Sequence, residues 1–207
     1  AKEENALREV LIIAAALSIV DPRERPFEKR TEADAMHRKF IVPGSDFLSY
    51  VKLWDAFRQE WESLKTQNKI RKFCKENFLS YTRMQEWHDV HQMLLEKVTA
   101  MKGFTLNEQP AASDAVHRSL LTGLLSNCAM KTETGQYRAS RGRNVVIFPG
   151  SALRDHKPQW IFCHEIVETS QLFARTVAPV NPSWLEQLGG HLCTRSYSEP
   201  YFDKETG

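Results

Sequence analysis

The chain has 207 residues, 42% of them hydrophobic and 10% aromatic, with a formal net charge of +2 and a pI near 8.4. That much apolar material suffices for one large or two small packed domains and argues against a disordered chain. So nearly balanced a charge identifies no partner, and any case for a nucleic acid has to rest on local charge.

The first element is read from the unbroken apolar run VLIIAAAL at 10–17, extended to Val20. It falls well short of the roughly 18 to 20 apolar residues needed to span a bilayer. Mixed charges precede it and DPRERP follows it, which does not fit a signal peptide. It reads as a buried core helix with only a short lead-in, so the chain is expected to be a piece of something longer. Pro22 stops the helix, because it lacks an amide donor and biases Asp21 away from helical geometry. Pro26 falls where the next helix can begin.

In SDFLSYVKLWDAFRQEWESL, Phe47, Val51, Trp54, Phe57, Trp61 and Leu64 recur at helical spacing, with Ser45 or Asp46 as the N-cap. NKIRKFCKENFL reads as a short amphipathic helix. A second long stripe runs through Met84, Trp87, His91, Leu94, Val98 and Met101, with Ser80 as cap and Gly103 as stop. Long and short helices with brief connections describe an α-helical bundle.

After the polar NEQPAAS stretch the texture changes. Ser113 starts a helix to about Leu125. Five short segments then follow, SNCAMK, QYRAS, VVIF, QWIFCHEIVET and QLFARTVAPV, each bounded by turn residues. NPSWLEQLGG closes as a short helix. Five strands in so short a stretch fit a small antiparallel barrel, most simply an OB-fold. The expected organisation is α+β, with a helical bundle at 1–110, an OB-fold at 111–195 and a C-terminal tail at 196–207.

Motifs for catalysis are sparse. HEIVE at 164–168 has the His-Glu start of a zinc-protease motif but lacks the second histidine and reads as a strand. His88 and His91 share a helix face but have no carboxylate or cysteine at matching spacing. There is no nucleophile elbow and no phosphate loop. Cys74, Cys128, Cys163 and Cys193 stand alone, as buried thiols in a reducing, cytoplasmic setting do.

Local charge is more informative. Between residues 137 and 157, Arg138, Arg141, Arg143, Arg154 and Lys157 face a single acid, Asp155. Tyr137, Phe148 and Trp160 interleave with them. Arginine grips phosphate and stacks on bases, so Arg138, Arg141, Arg143, Arg154, Lys157 and Tyr137 are the expected RNA-binding residues. The alternative is a protein-docking surface, marked by an exposed apolar patch on the barrel rimmed by charge.

REVLIIAAALSIVDPRERP (8–26), SDFLSYVKLW (45–54), FCKENFLSYTRMQEW (73–87), LLTGLLSNCAMK (120–131), IFPGSALRDHKPQW (147–160), EIVETSQLFARTVAPVNPSWLE (165–186) and SYSEPYFD (196–203) together resemble the C-terminal part of a bacterial HrpA-type DEAH-box RNA helicase. The resemblance implies a helical bundle of the HA2 or ratchet kind followed by an OB-fold. It further implies two RecA-like motor domains and a winged helix elsewhere in the parent, where ATP and Mg²⁺ would bind. The present chain lacks the motor motifs and is expected to need no cofactor and hydrolyse nothing by itself. Its expected partners are single-stranded RNA, the parent's motor and winged-helix domains, and a regulatory protein or the ribosome; no membrane partner is expected. Arg23 and Arg25 are expected to brace the corner after the first helix rather than touch RNA.

Overall fold

A computed structural model describes residues 1–64 and 66–192, so Cys193 and the expected tail at 196–207 lie outside the described residues. Six helices precede the barrel: α1 (Leu7–Leu17), α2 (Arg30–His37), α3 (Asp46–Leu64), α4 (Gln67–Glu76), α5 (Tyr81–Thr99) and α6 (Ser113–Leu124). Helix α1 packs against α3, α5 and α6, which is why its apolar run has no polar face to spare. Ile12, Ala15 and Ala16 enter the bundle core, while Ala6 and Ile13 enter a second core shared with the barrel. Trp87 of α5 donates its indole N–H to the Ile12 carbonyl at 3.0 Å.

Ser45 is the functional N-cap of α3: its hydroxyl accepts from Leu48 N at 3.1 Å. The α3 stripe holds, with Phe47, Trp54 and Phe57 at 3% exposure or less. In α5 only the first half of the stripe is covered. Met84 and Trp87 are buried, whereas Met101 lies beyond the helix end and is 52% exposed. Helix α2, absent from the sequence reading except for the start signal at Pro26, follows a single 3₁₀ turn at Phe27–Lys29.

The prolines make the corner and its backbone is then zipped to the α4–α5 connection. Ser80 N donates to Pro22 O, and Glu24 N donates to Phe78 O, both at 2.8 Å. Arg23 grips Asp21 of its own loop at 2.6 Å, and Arg25 grips Asp34 of α2 at 2.7 Å.

Five strands follow: β1 (Cys128–Lys131), β2 (Tyr137–Ala139), β3 (Asn144–Ile147), β4 (Trp160–Glu168) and β5 (Leu172–Pro179). They close in the order β1-β2-β3-β5-β4. Every seam is antiparallel except β3–β5. A ring with an odd number of strands cannot alternate direction throughout, so one parallel seam is obligatory. Helix α7 (Pro182–Gly189) ends the described fold, with Asn181 Oδ1 accepting from Ser183 N at 3.1 Å and Pro182 in the first turn.

Bundle and barrel share a core. Phe47 of α3 stacks on Phe162 of β4 at 4.9 Å, and Val116, Leu121, Val180 and Trp184 close around them. The polar stretch between the two parts is also fixed: buried Asn107 accepts from Arg8 N and donates to the Glu9 carboxylate, both at 2.9 Å.

Candidate nucleic-acid interface

Asp46, the first residue of α3, sets the distance between bundle and barrel. Its carboxylate accepts from Ser151 Oγ at 2.6 Å, Ala152 N at 2.7 Å and Val177 N at 2.8 Å. The preceding residue of β5, Thr176, is forced to φ +53°, which a β-branched residue rarely adopts. Val177 thereby turns its amide out to Asp46. One carboxylate at a helix start thus holds both the long β3–β4 loop and β5.

On one side of this anchor lies a cleft of about 860 Å³ between the two parts. The corner after α1 and the cleft face of α2 form one wall, with Arg23, Arg25 and Arg38. The barrel wall carries Phe148, Arg154 and Arg175. Their charges are not equivalent. Arg23 is spent on Asp21: burial would raise that carboxyl, but the Arg23 hydrogen bonds and charge hold it below its ordinary range. Arg25 is paired with Asp34, and Arg175 lies 3.6 Å from Glu165, its cross-strand partner. Arg38 and Arg154, one on each wall, have no acid within ion-pair distance among the described residues.

An aromatic ledge leads out of this cleft. Phe148 and Phe173 meet edge to face at 5.8 Å on the outer side of the β3–β5 seam, both half-buried. The Arg175 guanidinium sits over the Phe148 ring at 5.1 Å. Gly150 makes room for that ring: a Cβ there would come within 3.0 Å of it. Past the ledge is a second hollow of about 430 Å³ at the barrel mouth, where Phe173 meets Arg154 and Lys157. Arg154 borders both spaces.

The six expected RNA-binding residues are not all brought to one place. Arg154 and Lys157 border the barrel-mouth hollow. Arg138 points outward from β2, and Arg141 and Arg143 sit in the β2–β3 turn, at the opposite end of β2 from that hollow. Tyr137 is corrected. Its ring is 1% exposed inside the barrel and its hydroxyl donates to Pro158 O at 2.7 Å, with burial pushing its pKa up to about 12. A ring so enclosed forms the floor of the hollow and offers no face to a base. Arg38, Arg175 and Phe173 were missed. The first opens the 3₁₀ turn Arg38–Phe40 just after α2, and the other two follow a two-residue alternation along β5 that is visible only once the inward face is known.

Other sequence features resolve into packing. His164-Glu165 lies on β4. His88 stacks on Trp61 at 4.8 Å, and His91 packs on Trp54 at 4.6 Å. Among the described residues no group of His, Cys, Asp and Glu could hold a metal ion, and no helix is long and apolar enough to cross a membrane.

Architecture and barrel topology define an α-helical region joined to an oligonucleotide/oligosaccharide-binding (OB)-fold, and residues 116–192 match the family model of that name. The resemblance extends over the whole chain, which is similar to the C-terminal region of HrpA-type DEAH-box RNA helicases. It is 39% identical to ATP-dependent RNA helicase HrpA of Escherichia coli (strain K12), over 100% of this chain and 16% of that protein. It is 40% identical to the HrpA homolog of Haemophilus influenzae, over 96% of this chain and 15% of that protein. A human relative, probable ATP-dependent RNA helicase DHX35, is 30% identical over 89% of this chain and 25% of its own length. The chain thus spans about a sixth of the length of its bacterial relatives.

Proposed function

We propose that this region lines the path of single-stranded RNA in its parent helicase, with the strand lying in the bundle–barrel cleft and over the Phe148–Phe173 ledge. The observation that carries this reading is the pair of unneutralised arginines, Arg38 and Arg154, that border the same cleft from opposite walls. Phosphates placed between them would be contacted from both sides, while the ledge supplies a stacking surface that accepts any base. Such contacts position a strand without reading its sequence. ATP hydrolysis is assigned to the parent's motor domains, which this region would meet together with the winged helix.

The test is binding of the 207-residue chain to a short oligouridine, followed by fluorescence anisotropy across a salt series. Log affinity should fall with log salt at roughly −0.7 per phosphate neutralised. Arg38→Ala with Arg154→Ala should flatten that slope by about 0.7 to 1.4, one or two phosphates' worth. Phe148→Ala should weaken binding by about 1 to 3 kcal/mol, the range for one stacked base. An unchanged slope in the folded double variant would remove the cleft from the RNA path.

A further inference from the structure

The cations that do not reach the cleft lie beside a different feature. Side chains of directly paired strand residues share a face, so the register defines a row across the outside of the barrel: Trp160, Met130, Arg138 and Asn144, on β4, β1, β2 and β3. Inward neighbours Ala129, Ala139 and Ile161 are buried, which fixes the row as outward. Helices roof the same face of β4 one pair further along: Phe47 stacks on Phe162, and His117 meets Phe162 edge to face at 6.0 Å. Trp160 packs partly against that shared core, whereas Met130 is 39% exposed. The hairpin leaving this row carries Arg141, whereas Arg143 stands opposite inward-facing Ala139, whose N–H donates to its carbonyl at 2.8 Å, and so lies off this face. Arg138, Arg141 and Arg143 have no acid within ion-pair distance among the described residues.

We infer that this outer barrel face docks an acidic protein segment that presents one apolar side chain to Met130. Charge complementarity chooses the sign: the Arg138 guanidinium on the row, with Arg141 in the adjoining turn, suits carboxylates, which each can grip with two parallel hydrogen bonds. The apolar centre chooses protein over RNA. An exposed thioether offers a base no flat ring, and Trp160 is partly packed into the core shared with the helices. Arg, Met and Trp are also the residue types over-represented where proteins meet, while lysine is depleted there. The surface is small, so the contact would be weak and transient.

The test uses the full 207-residue chain and a short labelled peptide of alternating glutamate and serine with one central leucine. Binding of roughly micromolar strength is expected. Arg138→Glu should weaken it at least about tenfold through charge reversal. Met130→Ser should weaken it too, and should have little effect on a control peptide whose leucine is replaced by serine. Neither change should alter the salt slope for oligouridine, so this inference can fail while the RNA path stands, or the reverse. Peptide binding indifferent to both substitutions would overturn it. So would an RNA slope flattened by Arg138→Ala together with Arg141→Ala, since that would make the face part of the RNA path.

Discussion

Replacing Asp46 with alanine removes the one side chain that ties α3 to both the β3–β4 loop and β5. Three donors lose their acceptor: Ser151 Oγ, Ala152 N and Val177 N. Hydrogen bonds to a charged group contribute roughly 1.5 to 3 kcal/mol each, so simple addition gives about 5 to 9 kcal/mol. Coupled bonds do not add, and Asp46 is half-buried, so water will satisfy part of what is lost. A destabilisation of about 3 to 5 kcal/mol is expected. Asp46→Asn keeps the shape but must turn an amide group toward one of the donors, and should cost about half as much. Urea denaturation measures the total. Native-state hydrogen exchange localises it, because the Ala152 and Val177 amides should exchange faster under conditions where the α1 and α5 amides do not. If stability falls but those two amides keep their protection, Asp46 is not the anchor and the cleft width is set by the apolar core instead.

Trp54 is 3% exposed and packed against Trp87 at 5.1 Å and His91 at 4.6 Å, so Trp54→Ala should cost about 3 to 5 kcal/mol, read as a lower denaturant midpoint. His117 is 4% exposed at the bundle–barrel seam, its Nε2 2.8 Å from Ser45 Oγ, and burial lowers its pKa to about 4. The unfolded chain, with a histidine pKa near 6.5, binds the proton first as pH falls. Stability contributed by neutral His117 is therefore present above about pH 6.5 and lost progressively down to about pH 4, by on the order of 3 kcal/mol. His117→Gln should flatten the stability–pH curve in that window, and an unchanged slope would refute the assignment.

Periodicity sufficed for α1, α3 and α6, because each carries a long apolar stripe against a neighbour. It sufficed for the five strands because turn residues isolate them. Two features were less legible. Helix α2 has only Ala33 and His37 buried, so it shows no stripe to read, and its position depends on Arg25–Asp34 and on the docking of His37 Nε2 to Phe78 O at 3.0 Å. The stretch around Asn107 looked like a polar linker and proved to be a buried junction, because Asn107 meets Glu9 about a hundred positions away. Composition reports which residues are polar but not where their partners are. The charge cluster at 137–157 is divided in space for a related reason. Nearness in sequence put five cations in one group, whereas a two-strand hairpin sends its turn to the opposite end of the barrel from the loop that carries Arg154.

That division bears on what the region can do. A cleft whose walls could drift apart would have to be closed by the strand it binds, and the ordering cost would weaken binding. Here the walls are joined three ways: through the shared core around Phe162, through Asp46, and through the Asn107–Glu9 junction beneath the connecting stretch. Arg38 and Arg154 are consequently presented from walls already fastened together. The strand proposed to lie there meets preset contacts, which suits a passage that nucleotides slide through one after another better than a site that grips one sequence. Arg138 points outward from β2 on the Met130 row, and Arg141 sits in the turn at the other end of β2 from the barrel-mouth hollow. An acidic partner held there would leave the cleft open, so the two proposed contacts can be occupied together without competing for the same arginines.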